Sequence, residues 1–156
     1  MNIFLTGSTG LIGREVLKKF SKSNFIYAII KSKKKKLFKS KNIKYIVQDL
    51  EKKFDFNEKI DVVIHLAAKV QKKSKINYNH NYKITKNVLE ATAPICKKFI
   101  FASSQMVYGN IDKINKKEDE KIFKNKLDFY GLSKIKCEKL LKIYQKKYRG
   151  SYYSLR

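Results

Sequence analysis

The chain has 156 residues, 43% of them hydrophobic, and its 37 lysines and arginines against 13 acidic residues give a formal net charge of +24. That is enough chain for one domain with a substantial core, and no run approaches the ~18 apolar residues of a membrane span. Two cysteines, Cys96 and Cys137, and two histidines, His65 and His80, fit no metal-ligand spacing, which argues against a metal site and for reduced thiols in the cytoplasm.

The apolar start "MNIFL" runs straight into "TGSTGLIG", with no secretory signal between them. "IFL" at 3–5 reads as a first strand. Residues 11–20 then carry Leu11, Ile12, Val16, Leu17 and Phe20 on one stripe, the pattern of an amphipathic helix. "FIYAII" at 25–30 is a second strand, followed by the lysine-rich connection "KSKKKKLFKSK" at 31–41. Only Arg14, Arg149 and Arg156 among the basic residues are arginine. The residues spelled with A and T are abundant and those spelled with G and C scarce, so most of the lysine reads as codon drift. A nucleic-acid surface selected for phosphates and bases should contain arginine instead.

"IKYIV" at 43–47 and "DVVIHLAA" at 61–68 are further apolar runs, followed by a helix over 81–93 with Ile84, Val88, Leu89 and Thr92 on one side. "KFIFAS" at 98–103 is a fifth strand, and 110–128 is a polar, aperiodic loop of functional length. Residues 133–148 place Cys137, Leu140, Leu141, Tyr144 and Tyr148 at helical steps, the two tyrosines as packing; "YYSLR" at 152–156 is a sixth strand. Continuous apolar strands alternating with helices predict an α/β fold, a doubly wound parallel sheet covered on both faces.

Three of the six glycines crowd into seven positions between the first strand and the first helix. Gly7 would allow the tight turn, Gly10 the close approach of a pyrophosphate, and Gly13 close packing of helix on strand. The phosphates would rest on the positive end of the helix. Strand, glycine turn and helix in that order predict dinucleotide binding.

The spacing G-x-x-G-x-x-G resembles the short-chain dehydrogenase/reductase superfamily, and other segments extend the resemblance. "HLAA" at 65–68 is similar to the segment beside the cofactor's adenosine and ribose, and "QDL" at 48–50 to the one whose Asp, here Asp49, meets the adenine. "NYKITKNVLEA" at 81–91 resembles the helix N-V-x-G-T-x-N-L-L-E-A, with Ile84 where the family has glycine. "SSQMVYG" at 103–109 and "YGLSKIKCE" at 130–138 match S-S-x-x-V-Y-G and Y-G-x-S-K-x-x-x-E. Together, from Met1 to Arg156, they resemble the extended branch, the NAD(P)-dependent epimerase/dehydratase family acting mostly on nucleotide sugars.

That resemblance implies a Rossmann-like NAD(P)-binding domain over 1–156, with an oxidoreductase or isomerase acting on a nucleotide sugar. It implies cofactor contacts from Gly7, Thr9, Gly10, Leu11, Ile12, Gly13, Lys31, Asp49, Leu50, Leu66, Ala67, Ala68, Asn81, Tyr130 and Lys134, and catalysis by Ser104, Tyr130 and Lys134. Tyr130 and Lys134, four apart, would share a helix face. The ammonium and the nicotinamide's positive charge would draw the phenol below its usual pKa of about 10, making a usable base. Ser104, with Ser103 its closest rival, would hydrogen-bond the substrate oxygen. No acid lies near the end of strand two, where NAD-preferring sites hold one. Lys31 suits a 2′-phosphate, so NADP is favoured over NAD.

The extended family runs to about twice this length, so the chain resembles its cofactor half, truncated around strand six and lacking the C-terminal substrate domain. Its terminal strand would be an exposed edge that pairs with a second copy or partner chain, or makes the chain aggregation-prone. The alternative to an enzyme is a dinucleotide-binding module without turnover. Nucleic-acid binding rests on charge alone and ranks below both.

Overall fold

The computed structural model describes residues 1–32, 38–70, 75–109 and 127–156, and of 75–77 the backbone only. Six strands form a single parallel sheet: β1 (Asn2–Thr6), β2 (Phe25–Ile30), β3 (Ile43–Val47), β4 (Val62–His65), β5 (Lys98–Ala102) and β6 (Ser151–Leu155). Their order is β3-β2-β1-β4-β5-β6. The chain therefore winds one way from β1 to β3, crosses back, and winds the other way, leaving a switch point between β1 and β4 at the carboxyl edge. Register is continuous across that point, with Leu5 opposite Ala28 on one side and Ile64 on the other.

Alternation along the strands divides the core in two. Phe4, Tyr27, Val63, Phe99 and Phe101 point to one face and pack with Val88, Leu89, Cys137, Leu140 and Leu141. These come from α2 (Lys75–Thr92) and α3 (Phe129–Tyr148). Ile3, Leu5, Ile26, Ala28, Val62 and Ile64 point the other way and pack with Leu17 of α1 (Leu11–Phe20). Buried on both faces, the strands need no polar alternation, so they read as unbroken apolar runs.

The helix boundaries differ instructively from the sequence reading. The expected apolar stripe of α1 is only partly buried: Gly13 and Leu17 are covered, while Leu11 is 86% and Ile12 63% exposed. A Cβ on Gly13 would overlap the Gly7 carbonyl oxygen, so this helix meets the glycine turn through its Gly13–Leu17 side, turning Leu11 and Ile12 outward. Helix α2 starts at Lys75, six residues ahead of position 81, in a stretch with no apolar period. Helix α3 starts at Phe129 because the Asp128 carboxylate accepts from Gly131 N–H at 2.7 Å, an N-cap. Tyr144 packs on the edge of the core and stacks on Tyr148 at 5.9 Å.

β4 ends at His65, so "LAA" leaves the sheet. β6 pairs with β5 only, and its Tyr153 and Leu155 are exposed. Most of the loop expected over 110–128, and positions 33–37 of the lysine-rich connection, lie outside the described residues. Among those described, no helix is long and apolar enough to cross a membrane.

Candidate active site

At the switch point the glycine turn is built by contact rather than by flexibility alone. Gly7 has φ +70°, and a Cβ there would stand 2.8 Å from both Ala67 N and the Leu66 carbonyl carbon. Only glycine lets the turn lie that close to the chain leaving β4. Gly13 is needed for α1 to close on Gly7 and Ser8, so it packs on the turn itself and not on a strand. Gly10 differs: its added Cβ would meet only the Gly7 carbonyl oxygen, at 3.3 Å. It is the N-cap of α1, and no side chain caps the helix. The first-turn N–H groups of α1 are thus left to an outside acceptor, which suits an anion.

Polar side chains brace this turn from behind. Ser8 Oγ donates to the Ile29 carbonyl at 3.1 Å. Thr6 Oγ1 accepts from Ala67 N–H at 3.2 Å and pairs with His65 Nδ1 at 2.6 Å, while His65 Nε2 meets Thr85 Oγ1 at 3.0 Å. His65 is fully buried; burial, with the nearby Lys134 charge, pushes its pKa down to about 3. It is a neutral strut joining β1, β4 and α2.

A cleft of about 350 Å³ opens in front of the turn. Its lining includes Gly7, Thr9, Gly10, Lys31, Asp49, Leu50, Leu66, Ala67 and Ala68, all expected from the sequence. Leu11, Ile12 and Gly13 do not line it. Neither does Asn81, whose amide clamps both backbone groups of Lys69 (2.8 and 3.0 Å) and reaches Ser133 Oγ at 3.1 Å. Asn81 thereby ties the cleft wall to α3. Ile84, standing where the family pattern has glycine, is a wall residue.

Sequence reasoning missed Glu51, which also lines the cleft. Asp49 Oδ1 accepts from Glu51 N–H at 3.0 Å, turning the chain after β3. The Glu51 carboxylate then lies 3.2 Å from His80 Nδ1, 3.8 Å from Lys31 Nζ and 4.0 Å from Lys69 Nζ. An acid does stand beside Lys31, supplied by β3's end and invisible when only the residues after β2 are searched. Net desolvation and Lys69 keep the His80 pKa below its usual value despite that carboxylate.

The three residues expected to be catalytic gather at the next strand end along. Ser104 follows β5 and caps a 3-10 turn, Gln105–Tyr108, by accepting from Met106 N–H at 3.2 Å. Gly131 lets α3 approach this turn, since a Cβ there would lie 2.5 Å from the Met106 carbonyl oxygen. The Ser104 hydroxyl lies close enough to the Tyr130 phenol to lower its pKa. Ser103 instead donates to Glu138 at 2.5 Å. Lys134 Nζ donates to the Ala102 carbonyl at 2.6 Å, over the rings of Phe101 (4.6 Å) and Tyr130 (5.6 Å).

The electrostatics correct one expectation. In the chain alone the Tyr130 pKa is raised, chiefly by burial, and the nearby Ser104 hydroxyl offsets only part of this. Lys134, itself desolvated, has its pKa pushed down to about 8. Its ammonium is committed to the Ala102 carbonyl and lies 5.6 Å from the centre of the Tyr130 ring, and the phenol's pKa stands raised beside it.

The pattern of the NAD dependent epimerase/dehydratase family matches residues 3–156. The chain belongs to that family. It is 30% identical to a UDP-glucose 4-epimerase of Pisum sativum over 168 residues, covering 92% of this chain and 47% of that protein. Among solved structures, a UDP-galactose 4-epimerase superposes with a TM-score of 0.86 at 27% identity, over 100% of this chain and 55% of the other. A UDP-glucuronic acid 4-epimerase from Bacillus cereus in complex with NAD superposes at 0.81 with 26% identity, over 100% and 56%. The chain spans about half the length of these relatives. The superpositions account for the sheet order.

Proposed function

We propose that this chain binds NAD or NADP in the 350 Å³ cleft and carries the proton-transfer residues of an epimerase, dehydratase or reductase acting on a nucleotide sugar. The observation that carries the reading is the packing of α3 on the end of β5: Lys134 donates to the Ala102 carbonyl at 2.6 Å, Gly131 lies against the turn that Ser104 caps, and Tyr130 is thereby set beside Ser104. Two side chains 26 positions apart in sequence meet at the sheet edge that forms the cleft.

The residues fit a dinucleotide. Gly10 and the uncapped start of α1 would take the pyrophosphate, Asp49 and Leu50 the adenine, and Leu66 to Ala68 the adenosine ribose. Lys31 supports a 2′-phosphate and hence NADP, whereas the Glu51 carboxylate 3.8 Å from it supports the 2′-hydroxyl of NAD. When bound, the nicotinamide supplies a hydride acceptor and donor. Tyr130, once ionised, takes the proton of a sugar hydroxyl while Ser104 hydrogen-bonds the same oxygen; the reverse transfer returns it. The dinucleotide's positive ring and a Lys134 freed from Ala102 would lower the phenol's pKa from its raised value in the free chain.

A second reading, dinucleotide binding without turnover, draws on that raised pKa and on the commitment of Lys134 to Ala102. Thermal-shift titration with NAD, NADH, NADP and NADPH tests the shared claim, because a ligand that binds only the folded state raises the melting temperature. No shift with any of the four overturns both. Turnover of a UDP-sugar that Tyr130→Phe abolishes while the shift persists selects the enzyme.

A further inference from the structure

The stripe that bears Tyr130 and Lys134 continues one turn further to Glu138, at steps of four. Each member holds one of three consecutive residues at the end of β5. Lys134 bonds the Ala102 carbonyl, Glu138 accepts from Ser103 Oγ, and Tyr130 faces Ser104 closely enough for the hydroxyl to lower its pKa. Glu138 is buried, yet it is not alone. Arg156 Nε donates to Glu138 Oε1 at 3.1 Å and its Nη2 to Oε2 at 2.8 Å, a two-point grip on the carboxylate. The same guanidinium donates from Nη1 to Tyr108 Oη at 3.1 Å and lies over the Tyr108 ring at 5.2 Å. Tyr108 belongs to the 3-10 turn that Ser104 caps. The third side is closed by the backbone, where Ser103 N–H donates to the Leu155 carbonyl at 2.8 Å.

We propose that Glu138 and Arg156 are positioning residues, which lock the corner of β5 and its 3-10 turn against α3 so that the Ser104 hydroxyl stays facing the Tyr130 phenol. The proposal rests on the reading of Tyr130 and Ser104 as the reacting pair. A buried ion pair is a weak source of stability, and apolar side chains of similar size often replace one without loss. Apolar substitutes would keep the corner packed but could not hold Ser103 or aim the turn. The charge is thus there for direction: Ser103 and Ser104 are neighbours, and fixing the first fixes the second.

The test reads Tyr130 directly, in the whole chain and without cofactor. Tyrosine labelled with 13C at Cζ gives one resonance per residue, and Tyr130→Phe identifies that of Tyr130. Ser104→Ala should displace it, since the hydroxyl facing the phenol is lost. The paired change Glu138→Leu with Arg156→Met, which removes both charges of the pair together, should displace it in the same direction. Added to Ser104→Ala it should produce no further displacement, because both act through one contact. Glu138→Gln, which keeps an acceptor for Ser103, should restore most of the parent position.

A paired variant that melts cooperatively with the Tyr130 resonance at its parent position overturns the proposal. So does a displacement that adds to that of Ser104→Ala. If the paired variant does not fold, Arg156→Lys is read instead. Its single ammonium cannot hold Glu138 at two points and Tyr108 at a third, and an unmoved resonance there overturns the proposal equally. A resonance that Ser104→Ala itself leaves in place refutes the reacting-pair reading, and the positioning role falls with it. Movement by Ser104→Ala alone refutes only the positioning role.

Discussion

Lys134 is a site where charge and burial pull apart, and the size of the conflict follows from how deeply it is buried. Only 2% of the residue is exposed, and its pKa falls from 10.5 to about 8, chiefly through desolvation. Between those two values the unfolded chain binds more protons than the folded one, so this group makes stability rise with pH. Fully charged, it costs the fold about 3 kcal/mol at pH 7, from 1.36 kcal/mol for each unit of displacement. About 2 kcal/mol of that is relieved by pH 9.5. Lys134→Met removes the titrating group and the bond to the Ala102 carbonyl. The loss of that bond makes the gap between parent and variant at any one pH an uncertain guide, but the change in the gap is not affected by it. Burial also raises the pKa values of Cys96 and Tyr152, which weakens both proteins alike as the pH passes their unfolded values, and this cancels in the difference. Urea unfolding of parent and variant at pH 7 and pH 9.5 measures it. The parent should gain about 2 kcal/mol on the variant over that interval. A gap constant to within about 0.5 kcal/mol would mean that Lys134 does not titrate there and that its desolvation has been misjudged.

Gly10 and Gly13 should separate by experiment. Gly10→Leu should leave a cooperative melt within roughly 1 kcal/mol of the parent and remove the dinucleotide-induced shift. Gly13→Ala has nowhere to put its Cβ except the Gly7 carbonyl; it should cost at least about 2 kcal/mol by overpacking, read as a lower urea midpoint with an unchanged slope. Glu138→Ala, which removes the two-point grip on the partly exposed Arg156, should destabilise by about 1.5–3 kcal/mol, whereas the paired apolar change at both positions should recover most of this in the same urea series.

The sheet was legible because its signal is local. Both faces are covered, so each strand announces itself as a short apolar run, and the six runs fall within a residue or two of the observed strands except where β4 gives way to "LAA". Helix ends were harder. Lys75–His80 joins α2 with no apolar period of its own, and Phe129–Leu132 joins α3 on the strength of one Asp128 cap. The stripe on α1 misled for a physical reason: Leu11 and Ile12 share the periodicity of Leu17, but contact at Gly13 decides which side of the helix turns inward. At the site, the glycine turn and the Tyr130–Lys134 pair are spacings, and spacings can be read. Glu51 beside Lys31 and Arg156 on Glu138 are meetings of residues 20 and 18 positions apart, and no local pattern foretells them.

The site is also where the chain departs from the rules that its own core obeys. α1 starts without a side-chain cap, α3 buries a lysine and a glutamate on the face turned toward the sheet, and a histidine sits wholly inside beneath the cleft. Each costs stability where an apolar or capped alternative was available, and each lies at the carboxyl edge, around the switch point or the neighbouring end of β5. His65 shows how the departures are linked. Its neutral ring joins Thr6 to Thr85, Thr6 fixes Ala67, and Ala67 stands against Gly7, so the glycine turn is placed by a buried polar chain and not by packing alone. Lys134, in turn, helps to hold His65 neutral. The cleft and the corner that holds Ser104 and Tyr130 are thus coupled through β4 and β5, and a change of charge at Lys134 is felt at the residue that braces the cleft.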